Sequence, residues 1–115
     1  MRYLLDTNIC IYIIKRSPVE VFEKLSTLEI GDVGISSISY CELQFGVAKS
    51  SNPEKNNAAL VEFLAPLELL DFPAKAASHF GNLRTELQAA GRPIGPYDML
   101  IAAHALSIGA TLVTH

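Results

Sequence analysis

Four short, largely apolar runs are set between segments whose apolar residues recur at helical spacing, and this alternation confines the chain to a narrow group of folds. The runs are residues 2–5 (RYLL), 33–36 (VGIS), 67–72 (LELLDF) and the ATLVTH stretch that begins at Ala110. They show little polar–apolar alternation, which marks a sheet covered on both faces. Strands joined through helices run parallel, with crossovers of one hand. The expected architecture is an α/β three-layer sandwich around a short, mainly parallel sheet. One domain over residues 1–115 is expected, because the length supplies one hydrophobic core and not two.

The punctuation between the runs places the helices. Asp6-Thr7-Asn8 stops the first strand and leads into a helix over residues 9–15. Pro18 stands at an expected first helical position, ahead of Val21, Phe22, Leu25 and Leu28 on one face. After the second run, serines cap a helix whose inward stripe is read as Ile38, Cys41, Phe45 and Ala48. Asn52 and Pro53 open a helix over 54–64; Ala76, Phe80, Leu83 and Leu87 mark another, ended by Gly91. The last helix, over 97–107, is apolar on nearly every side and is expected to be buried, with Gly109 ending it.

Composition removes several classes of function. Half of the residues are apolar and 18% are charged, as in a compact fold rather than a disordered one. No apolar stretch approaches the roughly 20 residues of a membrane span. Asp6 interrupts what would be the apolar core of a signal peptide, so a cytoplasmic location without membrane attachment is expected. Cys10 and Cys41 lack metal-type spacing and read as buried thiols of a reducing compartment. A net charge of −3 offers nucleic acid no general attraction, so any such binding must be local. His79, His104 and His115 have no ligand spacing, and no phosphate-binding glycine loop or nucleophile elbow is present.

Asp6, Glu42 and Asp98 remain. Each falls at a strand–helix or loop–helix junction, and in a parallel sheet such junctions share the carboxyl edge where ligands gather. Carboxylates converging in a half-buried cleft need a compensating cation. Oxygen ligands suit Mg²⁺ or Mn²⁺, and the chemistry such a site supports is phosphodiester hydrolysis by an activated water. Each acid also has a purely structural reading: Asp6 in an Asx turn, Glu42 closing a capping box with Ser39, Asp98 as a helix-start acid. Lys15, Arg16, Arg84 and Arg92 are available to hold phosphates at the mouth of such a cleft, or to serve as solvated surface.

LLDTNICIYIIKRSP, ISSISYCELQFGVAKS and GRPIGPYDMLIAAHALSIGATLVTH resemble, in order and over nearly the whole chain, the PIN-domain ribonucleases, and within them the VapC-type toxins of bacterial toxin–antitoxin pairs. The resemblance implies a Mg²⁺- or Mn²⁺-dependent endoribonuclease held inactive by a VapB-type antitoxin. It makes Asp6, Glu42 and Asp98 the metal-binding catalytic acids, with Thr7 and Asn8 orienting Asp6 and Ser39 supporting Glu42. It points to structured RNA as substrate, foremost tRNA and the anticodon stem-loop of the initiator tRNA, and to a homodimer. A PIN-fold module that binds its antitoxin without cleaving is the other reading. An acid-nucleophile phosphatase is disfavoured, since Asn8 stands where its second Asp belongs. The family pattern continues past LVTH with a loop carrying a further acidic or amide residue, a small strand and a closing segment. That C-terminal segment is missing from these 115 residues, and weaker metal occupancy and cleavage are expected without it.

Overall fold

The computed structural model of the chain describes residues 2–29 and 31–115, without the Phe22 side chain, so the expected inward placement of Phe22 lies outside the described residues. In chain order the elements are β1 (Tyr3–Leu5), α1 (Thr7–Arg16), α2 (Val19–Ser26), β2 (Val33–Ser36), α3 (Ser37–Ala48), α4 (Pro53–Leu64), β3 (Glu68–Leu70), α5 (Ala76–Ala89), α6 (Pro96–Ile108) and β4 (Thr111–Val113). The strands form one parallel sheet in the order β3-β2-β1-β4. Tyr3 pairs with Val33 on one side and with Thr111 on the other. The chain moves outward from β1 to β3 and then crosses back to place β4 on the far side of β1. Such a reversal opens a crevice at the carboxyl ends of the central strands.

Strand residues alternate between two cores, as the period of two requires. Leu5, Val33 and Ile35 pack with Ile9, Cys10 and Ile13 of α1, Leu43 of α3 and Leu60 of α4. Leu4 faces the other way, onto Ile101 and Ala105 of α6, with Ile38, Leu70 and Leu112 alongside. Helix α5 packs along α6, completing the three-layer α/β sandwich. The turn that returns the chain to the sheet is fixed by Gly109. At φ 66° it lets the Ala110 N–H reach the Ala105 carbonyl (3.0 Å) and its own N–H reach that of Leu106 (3.3 Å), an end that a side chain at this φ would strain.

Four expectations are corrected. Helix α1 begins two residues early, at Thr7, because Asp6 itself is the N-cap. Pro18 is the N-cap of α2 rather than its first residue. The stripe read for α3 is wrong: Cys41, Phe45 and Ala48 are exposed, and the helix buries Ser39 and Leu43, with Tyr40 and Val47 partly buried beside them. Apolar residues lie all round α3, so periodicity alone selects no face; the sheet does, and it selects a face containing a buried serine. Helix α6 buries Met99, Ile101, Ala103, His104 and Ala105, but Tyr97 and Leu106 stay 57% and 56% exposed, because sheet and α5 cover only part of its circumference.

Candidate active site

The carboxylate inside the first apolar segment is compensated by the helix it starts. Asp6 leaves β1 in extended conformation, and its N–H still donates to the Val113 carbonyl at 3.0 Å. Its Oδ1 already accepts the Ile9 N–H at 2.8 Å, satisfying one orphan donor of α1 and sitting at the positive end of that helix. A consequence reaches Cys10, one turn on. Burial, and then the negative charge of Asp6, push the Cys10 thiol up to about 12, so it stays protonated and inert.

Glu42 is held from α1. The Thr7 hydroxyl donates to Glu42 Oε1 at 2.6 Å, and Thr7 Oγ1 lies 3.2 Å from Ser39 Oγ. One hydroxyl has one proton, and the short bond to a carboxylate takes it; Ser39 therefore donates to Thr7. A relay from Ser39 through Thr7 to Glu42 is thus built across 35 residues of sequence, with Thr7 6% exposed and Ser39 fully buried. Glu42 does not close a capping box with Ser39: helix α3 starts at Ser37, and its N-cap is Ser36, whose Oγ accepts the Ile38 N–H at 3.1 Å. Thr7, expected to orient Asp6, is tied to Glu42 instead.

Asp98 reaches the same edge by a different route. Helix α6 connects through a tight turn to the start of β4, so it runs antiparallel to the strand and its N-terminus lies at the strand's carboxyl end. Gly95 is the N-cap and Pro96 the first helical residue, which puts Asp98 in the first turn, exposed. A Cβ added to Gly95 would stand 3.4 Å from Asp98 Oδ2, so the carboxylate folds back over its own helix start. Among the described residues, no three His, Cys, Asp or Glu side chains come close enough together to hold a metal ion. The three acids share an edge without sharing a coordination sphere.

Beside Glu42 opens a cleft of about 1010 Å³ between α1, α3 and α4, lined by Thr7 and Asn8 at one end and by Ile11, Phe45 and Lys49 along its walls. Lys15 lines it too; Arg16, Arg84 and Arg92 are exposed but do not line it, the last two belonging to α5 and the loop after it. Sequence reasoning missed Lys49, whose Nζ sits 5.0 Å over the Phe45 ring, and Tyr97, which reaches the cleft from α6. Spacing contained a signal for the first: Glu42, Phe45 and Lys49 are three and four residues apart, one helical face pointing outward.

The PIN domain family model matches residues 3–115. The chain is 47% identical over 116 residues to "Ribonuclease VapC2" of Rickettsia felis, covering 100% of this chain and 87% of that protein. It is 44% identical over 115 residues to "tRNA(fMet)-specific endonuclease VapC" of Shigella flexneri, covering 100% and 86%. The toxin–antitoxin complex VapBC2 of Rickettsia felis, solved bound to a promoter DNA fragment, superposes on this fold with a TM-score of 0.95 at 47% identity, over 99% of this chain and 87% of that one. The chain belongs to the PIN-domain family, in its VapC-type branch.

Proposed function

We propose that the chain is the endoribonuclease toxin of a type II toxin–antitoxin pair, that it depends on Mg²⁺ or Mn²⁺, and that it cleaves structured RNA, foremost tRNA at the initiator anticodon stem-loop. The observation that carries this reading is the Ser39–Thr7–Glu42 relay. It fixes a carboxylate at the sheet edge beside Asp6, where a fold of this kind takes its ligand. The 44% identity to a tRNA(fMet)-specific endonuclease supports the substrate class.

The donor chemistry suits a hard divalent cation. Asp6 and Glu42 each use one oxygen in the bonds above, and among the described residues neither second oxygen has a protein donor. These two would hold the ion together with water, and Asp98, exposed on its first turn, would turn in to join them. When bound, the metal supplies an activated water and neutralises charge at the phosphate. The chain's own residues do the rest. Thr7 keeps Glu42 oriented, the α1 N-terminus keeps Asp6 in place, and Lys15 and Lys49 draw phosphates to the cleft.

The partner is a VapB-type antitoxin, and the chain acts as a homodimer. The cleft, with Phe45 66% exposed on its wall, suits an apolar antitoxin segment presenting an Arg or Lys to the acids in place of metal. That the three acids form no metal-holding cluster among the described residues favours a second reading, a module that binds its antitoxin without cleaving. Titrating Mg²⁺ or Mn²⁺ while following cleavage of a tRNA pool separates the two. Metal-dependent cleavage abolished by Asp6→Asn supports the nuclease; antitoxin binding without cleavage at any metal concentration supports the module.

A further inference from the structure

Behind the carboxyl edge, a buried polar pair joins the helix of Asp98 to the helix of Glu42. His104 on α6 is 1% exposed, Ser36 is fully buried at the junction of β2 and α3, and His104 Nδ1 lies 2.8 Å from Ser36 Oγ. The Phe72 ring, in the segment after β3, meets the imidazole edge-on with centroids 5.6 Å apart, and the Phe72 N–H is itself anchored on Ser37 Oγ at 3.0 Å. An apolar side chain would fill this site without the cost of burying a polar ring. The imidazole must therefore do something packing does not.

Counting protons gives the direction of the bond. Ser36 Oγ accepts the Ile38 N–H, and its one hydroxyl proton goes to His104 Nδ1, so the neutral ring accepts there and carries its proton on Nε2. A proton on Nδ1 would reverse the bond and strand the Ser36 hydroxyl. Of the groups facing the ring, Ser36 on the β2–α3 side and Phe72 after β3 are uncharged, and Lys75, ahead of α5, is the charged one. Burial, and then that ammonium, push the ring below its ordinary 6.5.

We infer that His104 is a positioning residue: through Ser36 it locks α6, and so Asp98, against the capped start of α3, and so Glu42. Each acid lies fewer than two helical turns from its member of the pair. The inference rests on the nuclease reading above for its activity readout, and on the fold alone for its second readout.

The test compares the parent chain with His104→Leu, His104→Asn and Ser36→Ala. The Asn amide stands where Nδ1 does and cannot titrate. Two quantities are measured: metal-dependent RNA cleavage between about pH 5 and pH 8, the range in which a histidine titrates, and amide hydrogen exchange over residues 96–101. Expected are a fall in kcat of about tenfold to hundredfold in His104→Leu and Ser36→Ala with little change in KM, faster exchange in the first turn of α6, and recovery of both in His104→Asn, which also loses the acid limb of the parent's pH profile. Parental kcat and exchange in both His104→Leu and Ser36→Ala would overturn the inference, as would an Asn variant that folds and recovers neither. If the parent itself cleaves no RNA, the nuclease reading fails. Exchange over 96–101 then decides the clamp by itself, unchanged rates refuting it and faster rates in Ser36→Ala upholding it.

Discussion

Thr7→Val removes one hydroxyl and keeps the branched shape, so its effect isolates the relay to Glu42. A hydrogen bond to a charged group contributes about 1.5–3 kcal/mol, and the low end applies because water reaches half-buried Glu42 and recovers part of the loss. Ser39, fully buried, loses its acceptor as well, which costs about 1 kcal/mol more. The added methyl in a site only 6% exposed returns a fraction of that as apolar burial. The expected destabilisation is about 2 kcal/mol, read as a lower urea midpoint at unchanged slope. A double-mutant cycle with Glu42→Ala should show a coupling of about 1–1.5 kcal/mol, because either change alone breaks the same bond. RNA cleavage should fall about tenfold, the rate equivalent of roughly 1.4 kcal/mol. A Thr7→Val chain within about 0.5 kcal/mol of the parent, or strictly additive with Glu42→Ala, would mean that the relay does not hold Glu42.

Asp6→Asn should keep the fold, since Asn caps helices about as well as Asp, while RNA cleavage drops by orders of magnitude; the same substitution should lower the Cys10 value from about 12, seen in thiolate absorbance on alkaline titration. With a thiol reagent at neutral pH, exposed Cys41 should react at once and buried Cys10 only after unfolding, and equal rates would contradict the burial described for α1. Ser17, the C-cap of α1, has φ 45°, a left-handed backbone that a side chain strains; Ser17→Gly should raise stability by about 0.5–1 kcal/mol in urea unfolding. Because His104 is held below 6.5 in the folded chain, the unfolded chain takes up that proton first. The stability of the neutral ring is complete above about 6.5 and lost as pH falls towards the lower folded value, a slope that His104→Asn should remove from unfolding curves. Phe45→Ala should weaken antitoxin binding about tenfold or more while changing stability by less than about 0.5 kcal/mol, because the ring is exposed at 66%; unaltered affinity would place the antitoxin elsewhere.

The sequence by itself determined the order of strands and helices, the parallel sheet and the junctions that carry the acids, because these follow from local signals: short apolar runs, the Asp6-Thr7-Asn8 stop, Asn52 as a cap, and Gly109 at a helix end. It did not determine which face of α3 is inward. Apolar residues surround that helix, and only the sheet and α1 make Ser39 and Leu43 the buried pair and leave Phe45 in the open. Nor did it reveal the two polar links that organise the site. Thr7 to Glu42 spans 35 residues and Ser36 to His104 spans 68, and a hydrogen bond between distant residues leaves no periodic trace in either segment. The same holds for the spacing of the three acids, which form no metal-holding cluster among the described residues. Topology brings all three to one edge, but only tertiary packing sets the distances between them, with α6 seated through Ile101, His104 and Ala105.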